Sequence, residues 1–134
     1  MSQENIDFIS QHIYANIQTG NLEGVLAALA DNVVWNHHGP REQIPFSGHW
    51  EDKSGAGQML QTFAEMTEPV NFDIKGVVAS GDQVIFLIDE GCKVRTTGKR
   101  YSTFVAQIWT IQNGKIVQFD ELYDSYAVAE AFRS

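Results

Sequence analysis

The chain has 134 residues, 43% of them hydrophobic and 19% charged, and its 17 acidic against 9 basic side chains leave a formal net charge of −8. That length suits one domain able to bury roughly two-thirds of its extended surface, and the acidic balance argues against nucleic acid or anionic membrane as a partner. Cys92 stands alone, which excludes an internal disulfide and fits a reducing compartment; the opening MSQENIDFISQH lacks the basic start and apolar run of a signal peptide, and no apolar run reaches spanning length, so a soluble cytoplasmic protein is expected.

The N-terminal third reads as helical. Ile6, Ile9, Ile13 and Ile17 recur at spacings of three and four, the stripe of an amphipathic helix that stops at Gly20. Asn21 can cap a second, short helix that turns Leu22, Val25, Leu26 and Leu29 inward. NVVWNHH (32–38) then has the alternation of a strand, with Val33, Trp35 and His37 on one face. The loop GPREQIPFSGHWEDK follows, with two prolines and the large apolar groups Phe46 and Trp50, which are expected to close the mouth of an interior. Ser54 can cap a third helix running to about Met66, apolar at Met59, Leu60 and Phe63, before Pro69 prevents continuation.

Four strands complete the chain: VNFDIKGVVAS, QVIFLIDEGCKVR, RYSTFVAQIWTI and KIVQFDELYD, separated by the Gly-containing turns SGDQ, TTGK and QNGK. Asp124 can cap a closing helix, SYAVAEAF. The order implies an α+β protein in which a curved antiparallel sheet wraps onto the helices.

Two acids interrupt apolar rows. With Thr97 and Gly98 as a two-residue turn, Glu90 lies opposite Val105 and Ile88 opposite Gln107, so Val84, Phe86, Ile88, Glu90 and Cys92 share a face with Thr103, Val105, Gln107 and Trp109. For the last hairpin two registers are open. A two-residue turn at Asn113 and Gly114 sets Asp120 opposite Gln107 and turns Glu121 away; a bulge at Gly114 flips the parity and turns Glu121 inward with Phe119 and Tyr123. The apolar row favours the second. A carboxylate in an apolar interior has its charged form disfavoured, so its pKa rises toward the range where it exchanges protons at neutral pH. Glu121 is the candidate general base. Glu90, two strands away and so roughly 10 Å distant, and His37 are further candidate catalytic groups. Trp35, Val105, Gln107, Phe119, Tyr123 and Tyr14, whose hydroxyl can reach in from the first helix, are candidate substrate-binding residues. His37, His38 and His49 match no zinc spacing, so no metal is expected, and Cys92 has no basic partner to make it a nucleophile.

The segments LADNVVWNHHGP, IPFSGHWEDKSGAGQML, DEGCKVRTTGKRYSTFVAQIWTIQNGKI and FDELYDSYAVAEAF resemble the NTF2-like superfamily, in its SnoaL-like polyketide cyclase and ketosteroid-isomerase-related branch, from about Asn21 to the C-terminus. The resemblance implies one domain over 1–134, a cone-shaped barrel with its curved sheet wrapped on three N-terminal helices. It implies a small, largely apolar organic ligand and no cofactor. The implied chemistry is isomerase or aldol-type cyclase proton transfer, or lyase or hydrolase acid/base catalysis; a non-catalytic binding or association module of the same fold is the alternative. Under it, Glu121 falls where polyketide cyclases and limonene epoxide hydrolase keep a catalytic acid, Glu90 near the hydrolase's second acid, and Trp35 and His37 where the hydrolase has a Tyr and an Asn that position water. Ile88 stands where the hydrolase has the Arg linking its acids, so epoxide hydrolysis is not expected. Nothing matches the Tyr and protonated Asp of ketosteroid isomerase, so neither is steroid isomerisation. With Glu90, Val105 and Glu121 inward, Ile85, Leu87, Phe104, Ala106, Ile108, Ile116 and Leu122 form an apolar outer row, from which a homodimer through the outer sheet face is expected.

Overall fold

The computed structural model describes residues 2–134. The first helix, α1 (Ser2–Ile9), runs without a break into a π-helical turn (Ser10–Tyr14) and a last short segment, α2 (Ala15–Gln18). The π turn is marked by the Ala15 amide donating to Ser10 O, five residues back. It shifts the phase of the apolar stripe. Ile9 and Ile13 are fully buried as expected, but Ile17 is 51% exposed and Tyr14 takes the inward position. Gly20, at φ 73°, ends the helix as a left-handed residue.

Asn21 caps α3 (Leu22–Ala27), its side-chain oxygen accepting from the Gly24 amide at 3.0 Å. This helix is shorter than its apolar spacing implied. Leu22 is 39% exposed, and Leu29 already belongs to strand β1 (Leu29–His37). The loop after β1 contains a strand the sequence does not announce, β2 (Gly48–Glu51), paired antiparallel with the end of β1. Helix α4 (Asp52–Met66) is capped not by Ser54 but by Asp52, which sits at φ 61° and accepts from the Gly55 amide at 3.0 Å. Strands β3 (Thr67–Ser80), β4 (Gln83–Val94), β5 (Arg100–Gln112) and β6 (Lys115–Leu122) then meander, and α5 (Ser125–Phe132) closes the chain, capped by Asp124 accepting from Ala127 N at 3.1 Å.

The strands form one curved, unclosed sheet in the order β2–β1–β6–β5–β4–β3. It is not wholly antiparallel: β1 lies parallel to β6, setting Trp35 beside Phe119, Asn36 beside Asp120 and His37 beside Glu121. The helices pack into the concave side, where Phe46, Phe86, Phe119 and Trp109 are among the largest fully buried side chains.

Two registers decide which side chains face the concave side. Between β4 and β5 the expected faces hold but the pairing is displaced by two residues: Glu90 pairs with Thr103, Ile88 with Val105 and Phe86 with Gln107. The connection is longer than a two-residue turn, closed by Val94 N to Lys99 O and Gly98 N to Val94 O, both at 2.8 Å. Between β5 and β6 both sequence registers were half right. Asn113 (φ 52°) and Gly114 (φ 74°) make a tight two-residue turn of the doubly left-handed kind. Ile111 pairs with Ile116, yet Thr110 pairs with Gln118, so Val117 is an extra, bulged residue. The bulge, not the turn, flips the parity. Glu121 and Phe119 turn inward, Asp120 outward, and Ile116, expected on the outer face, is fully buried.

Candidate active site

At the centre of the concave side a hydrogen-bonded chain of five side chains crosses from the first helix to β1. Trp109 on β5 donates from Nε1 to the Tyr14 hydroxyl at 3.2 Å, and that hydroxyl donates to Oε1 of Gln107 at 2.6 Å. Gln107 donates from Nε2 to Oε1 of Glu121 at 2.7 Å, and Oε2 of Glu121 lies 2.5 Å from Nε2 of His37. His37, Gln107 and Glu121 are all buried, at 4%, 8% and 4% exposure. They meet because parallel pairing sets His37 beside Glu121 and antiparallel pairing sets Glu121 beside Gln107. The π turn delivers Tyr14 from the opposite side.

Around this polar chain the walls are aromatic. Phe119 stacks 4.2 Å from Trp109 and 4.3 Å from Trp35, Trp35 meets Trp109 edge-on at 5.7 Å, and Tyr14 meets Phe86 edge-on at 5.0 Å. Two buried polar atoms have no hydrogen-bond partner among the described residues: Nε1 of Trp35 and Nδ1 of His37. Burial leaves the Tyr14 hydroxyl well above the usual phenol range, opposed by the hydrogen bond from Trp109 and reinforced by the charges of Glu121 and Glu90.

Glu90 on β4 belongs to the same interior but not to the chain. Burial, reinforced by the negative charge of Glu121, pushes its carboxyl up to about 8, so at neutral pH it holds its proton. It is half-buried, and its cross-strand neighbour Phe72 on the edge strand β3 is 40% exposed while packing 5.4 Å from Tyr14. Along this flank Ile74 and Val77 also remain 47% and 38% exposed.

The loop expected to act as a lid is instead a plug. Phe46 is 1% exposed and packs 5.3 Å from the His37 ring, 4.9 Å from Phe63 on α4 and 5.9 Å from Phe132 on α5. Trp50 packs under the Arg41 guanidinium at 4.0 Å and donates to Phe46 O at 3.2 Å. Ser47, fully buried, donates to His37 O at 2.9 Å and bonds the Tyr123 hydroxyl at 2.5 Å. Gly39 permits that last bond, since a Cβ there would collide with the Tyr123 hydroxyl. Two surface concavities, of about 410 and 220 Å³, lie elsewhere; neither is lined by Phe46, Trp50, Glu90 or Glu121.

All nine expected site residues therefore reach the concave side, with different partners. Glu121, His37, Gln107 and Tyr14 join one chain. Trp35, Val105 and Phe119 are buried wall, and Tyr123 is held by Ser47 with its ring 5.0 Å from His37. Ser47 and Phe72 were not foreseen: a lone serine in a loop and an edge-strand phenylalanine carry no periodic signal. The outward acid has a parallel arrangement. Asp120 accepts from Asn36 and Gln118 and bonds His38 Nε2 at 2.9 Å; these contacts outweigh its partial burial, which raises the pKa, and hold its carboxyl below the usual range. No three histidine, cysteine or acidic side chains group as metal ligands among the described residues. Cys92 is buried and its thiol is pushed up to about 12, by burial first and by the charge of Glu90 second. No helix among the described residues is long and apolar enough to cross a membrane.

Residues 10–119 match the family described as the SnoaL-like domain. An NTF2-like protein from Burkholderia xenovorans LB400 superposes with a TM-score of 0.90 over 99% of this chain and 98% of its own, at 23% identity. TerC, co-crystallised with polyporic acid, superposes with a TM-score of 0.81 over 97% and 98% at 20% identity. An LEH-like epoxide hydrolase of M. tuberculosis superposes with a TM-score of 0.74 over 98% and 90% at 16% identity. These likenesses establish the α+β cone of the NTF2-like fold. No curated protein matches the chain.

Proposed function

The chain belongs to the SnoaL-like domain family, and from that premise we propose that its concave interior binds a small, largely apolar organic molecule and moves a proton on it without a cofactor. The reaction class is proton abstraction next to a carbonyl, as in isomerisation or aldol-type cyclisation. The observation that carries this reading is the pairing of a buried Glu121–His37 unit with a second carboxyl, Glu90, that keeps its proton at neutral pH. A proton acceptor and a proton-bearing carboxyl in one interior are what such chemistry needs. The Glu121–His37 unit accepts the proton, and the Glu90 O–H donates a hydrogen bond to the carbonyl oxygen where charge develops. Gln107 and Tyr14 hold Glu121 in place, while Trp35, Val105 and Phe119 present the apolar wall. The exposed flank at Phe72 is the route in. That TerC was crystallised with polyporic acid supports an organic ligand in a cone of this shape.

The test has two arms. Native mass spectrometry of the purified protein looks for a co-purified organic molecule. Proton–deuterium exchange at the α-carbons of cyclohexanone, followed against pH, looks for the chemistry. Exchange that falls off as Glu90 ionises near pH 8 supports the reading; a retained ligand with no exchange supports instead the non-catalytic binding module, whereas an interior filled by side chains, as Phe46, Phe86 and Trp109 fill it, favours an association module.

We also propose a homodimer through the convex face, in a cytoplasmic protein. Phe104, Leu122 and Val78 are 57%, 48% and 55% exposed there, around half-buried Ile85, Leu87, Ala106 and Ile108. Helix α5 leaves that face uncovered, because Phe132 draws it to Phe46 on the inner side. A second copy would cover the patch symmetrically.

A further inference from the structure

Within the Glu121–His37 unit the hydrogen bonds have a direction. The Trp109 indole nitrogen can only donate, so the Tyr14 hydroxyl accepts there and gives its single proton to Oε1 of Gln107. With its carbonyl oxygen so engaged, Gln107 turns its NH₂ to Glu121. Glu121 is therefore an acceptor at Oε1, while Oε2 faces Nε2 of His37 at 2.5 Å. Both carboxylate oxygens are committed to protein partners. The other imidazole nitrogen is not: Nδ1 of His37 is buried and has no partner among the described residues. Oε2 of Glu121 accepts from Nε2 across that contact, and a neutral imidazole carries one proton, so Nδ1 is left as a bare lone pair.

We propose that Nδ1 of His37 is the atom that takes the substrate proton, and that Glu121 is a positioning residue acting through His37. This rests on the acid/base reading above and assigns its atoms. The substrate C–H bond beside the carbonyl breaks, its electron pair passes to the carbonyl oxygen as an enolate, and the proton bonds to Nδ1. The imidazolium so formed is stabilised by the Glu121 carboxylate on its far side. Return of the proton from Nδ1 to another carbon of the enolate, or collapse of the enolate on an internal carbonyl, restores the starting ring; nothing is oxidised or reduced. The groups packed against His37 are the Phe46 ring, Tyr123 and Glu121, with Glu121 the nearest acid. Burial pushes the Tyr123 hydroxyl up to about 12, so it stays neutral through the working range. The substrate class that follows is an enolisable ketone without its own charge, since an anionic group beside Glu121 would be repelled.

The test is nitrogen NMR of protein labelled with ¹⁵N-histidine, with the His37 signals assigned by their loss in His37→Gln. At pH 8 a pyrrole-type Nε2 and a pyridine-type Nδ1 are expected; a protonated Nδ1 with bare Nε2 overturns the proposal. With cyclohexanone, His37→Gln should lose α-exchange while Glu121→Gln keeps a residue at least tenfold below wild type, and the reverse order makes Glu121 the base. Wild-type protein that exchanges nothing refutes the acid/base reading, while the tautomer still decides which atom is bare.

Discussion

The raised carboxyl of Glu90 makes stability depend on pH in a direction opposite to that of most acids. In the unfolded chain it loses its proton near its ordinary value of 4.5, whereas in the folded protein it holds it to about 8. Between those limits the folded state binds one proton more, so unfolding free energy falls as pH rises. Below pH 4.5 this group contributes no slope, and above about 8 the full penalty of an ionised Glu90 is present. An interval of about 3.5 pH units at about 1.4 kcal/mol each sets a ceiling of about 5 kcal/mol. Glu90→Gln keeps the shape and removes the titration. Urea denaturation of both proteins from pH 5 to pH 9 should show the wild type losing several kcal/mol, up to that ceiling, relative to the variant as pH rises. Taking the difference cancels the titrating groups that do not interact with Glu90. Parallel curves for the two proteins would refute the account.

Glu121→Gln should move the Glu90 midpoint down from about 8, since the charge of Glu121 is the second cause of its elevation, yet leave it above 4.5 because burial remains; carboxyl ¹³C NMR reads this directly. Phe46→Ala should cost about 3–5 kcal/mol in urea denaturation, because the ring is 1% exposed. Phe104→Glu should convert a particle of two chains to one in light scattering at micromolar concentration and lower Tm by the stabilisation that association supplied; a wild-type mass of one chain rules the dimer out.

Much of the fold was legible because its signals are local. Asn21 and Asp124 cap the helices that follow them, SGDQ and QNGK make tight turns, and the alternation around Glu90 places it inward. What was hidden is long-range. Strand β2 is four residues long inside a loop rich in Pro and Gly, too short to carry a period. The parallel pairing of β1 with β6 joins segments 84 residues apart, and it alone brings WNHH beside FDEL. Each of two adjacent histidines then meets one of two adjacent acids, His37 with Glu121 inside and His38 with Asp120 outside. The sequence offers both pairs side by side without saying which lies within.

That choice is made by breaks in period, and the site depends on two of them. A strict 3.6-residue period would carry Ile6, Ile9, Ile13 and Ile17 along one stripe, but the π turn spends an extra residue, drops Ile17 into solvent and swings Tyr14 inward. A strict two-residue period after the Asn113–Gly114 turn would put Asp120 opposite Gln107, but the bulge at Val117 spends an extra residue and puts Glu121 there. The two slips act on elements at opposite ends of the chain, and their products meet at Gln107, whose amide bonds Tyr14 at one end and Glu121 at the other. Either slip alone would leave that buried amide with an orphaned end, at a cost of about 1–3 kcal/mol. The irregularities thus compensate one another energetically. They also explain why periodicity reads the core of this protein well and its polar centre less well: the core follows the period, and the centre is built where the period breaks.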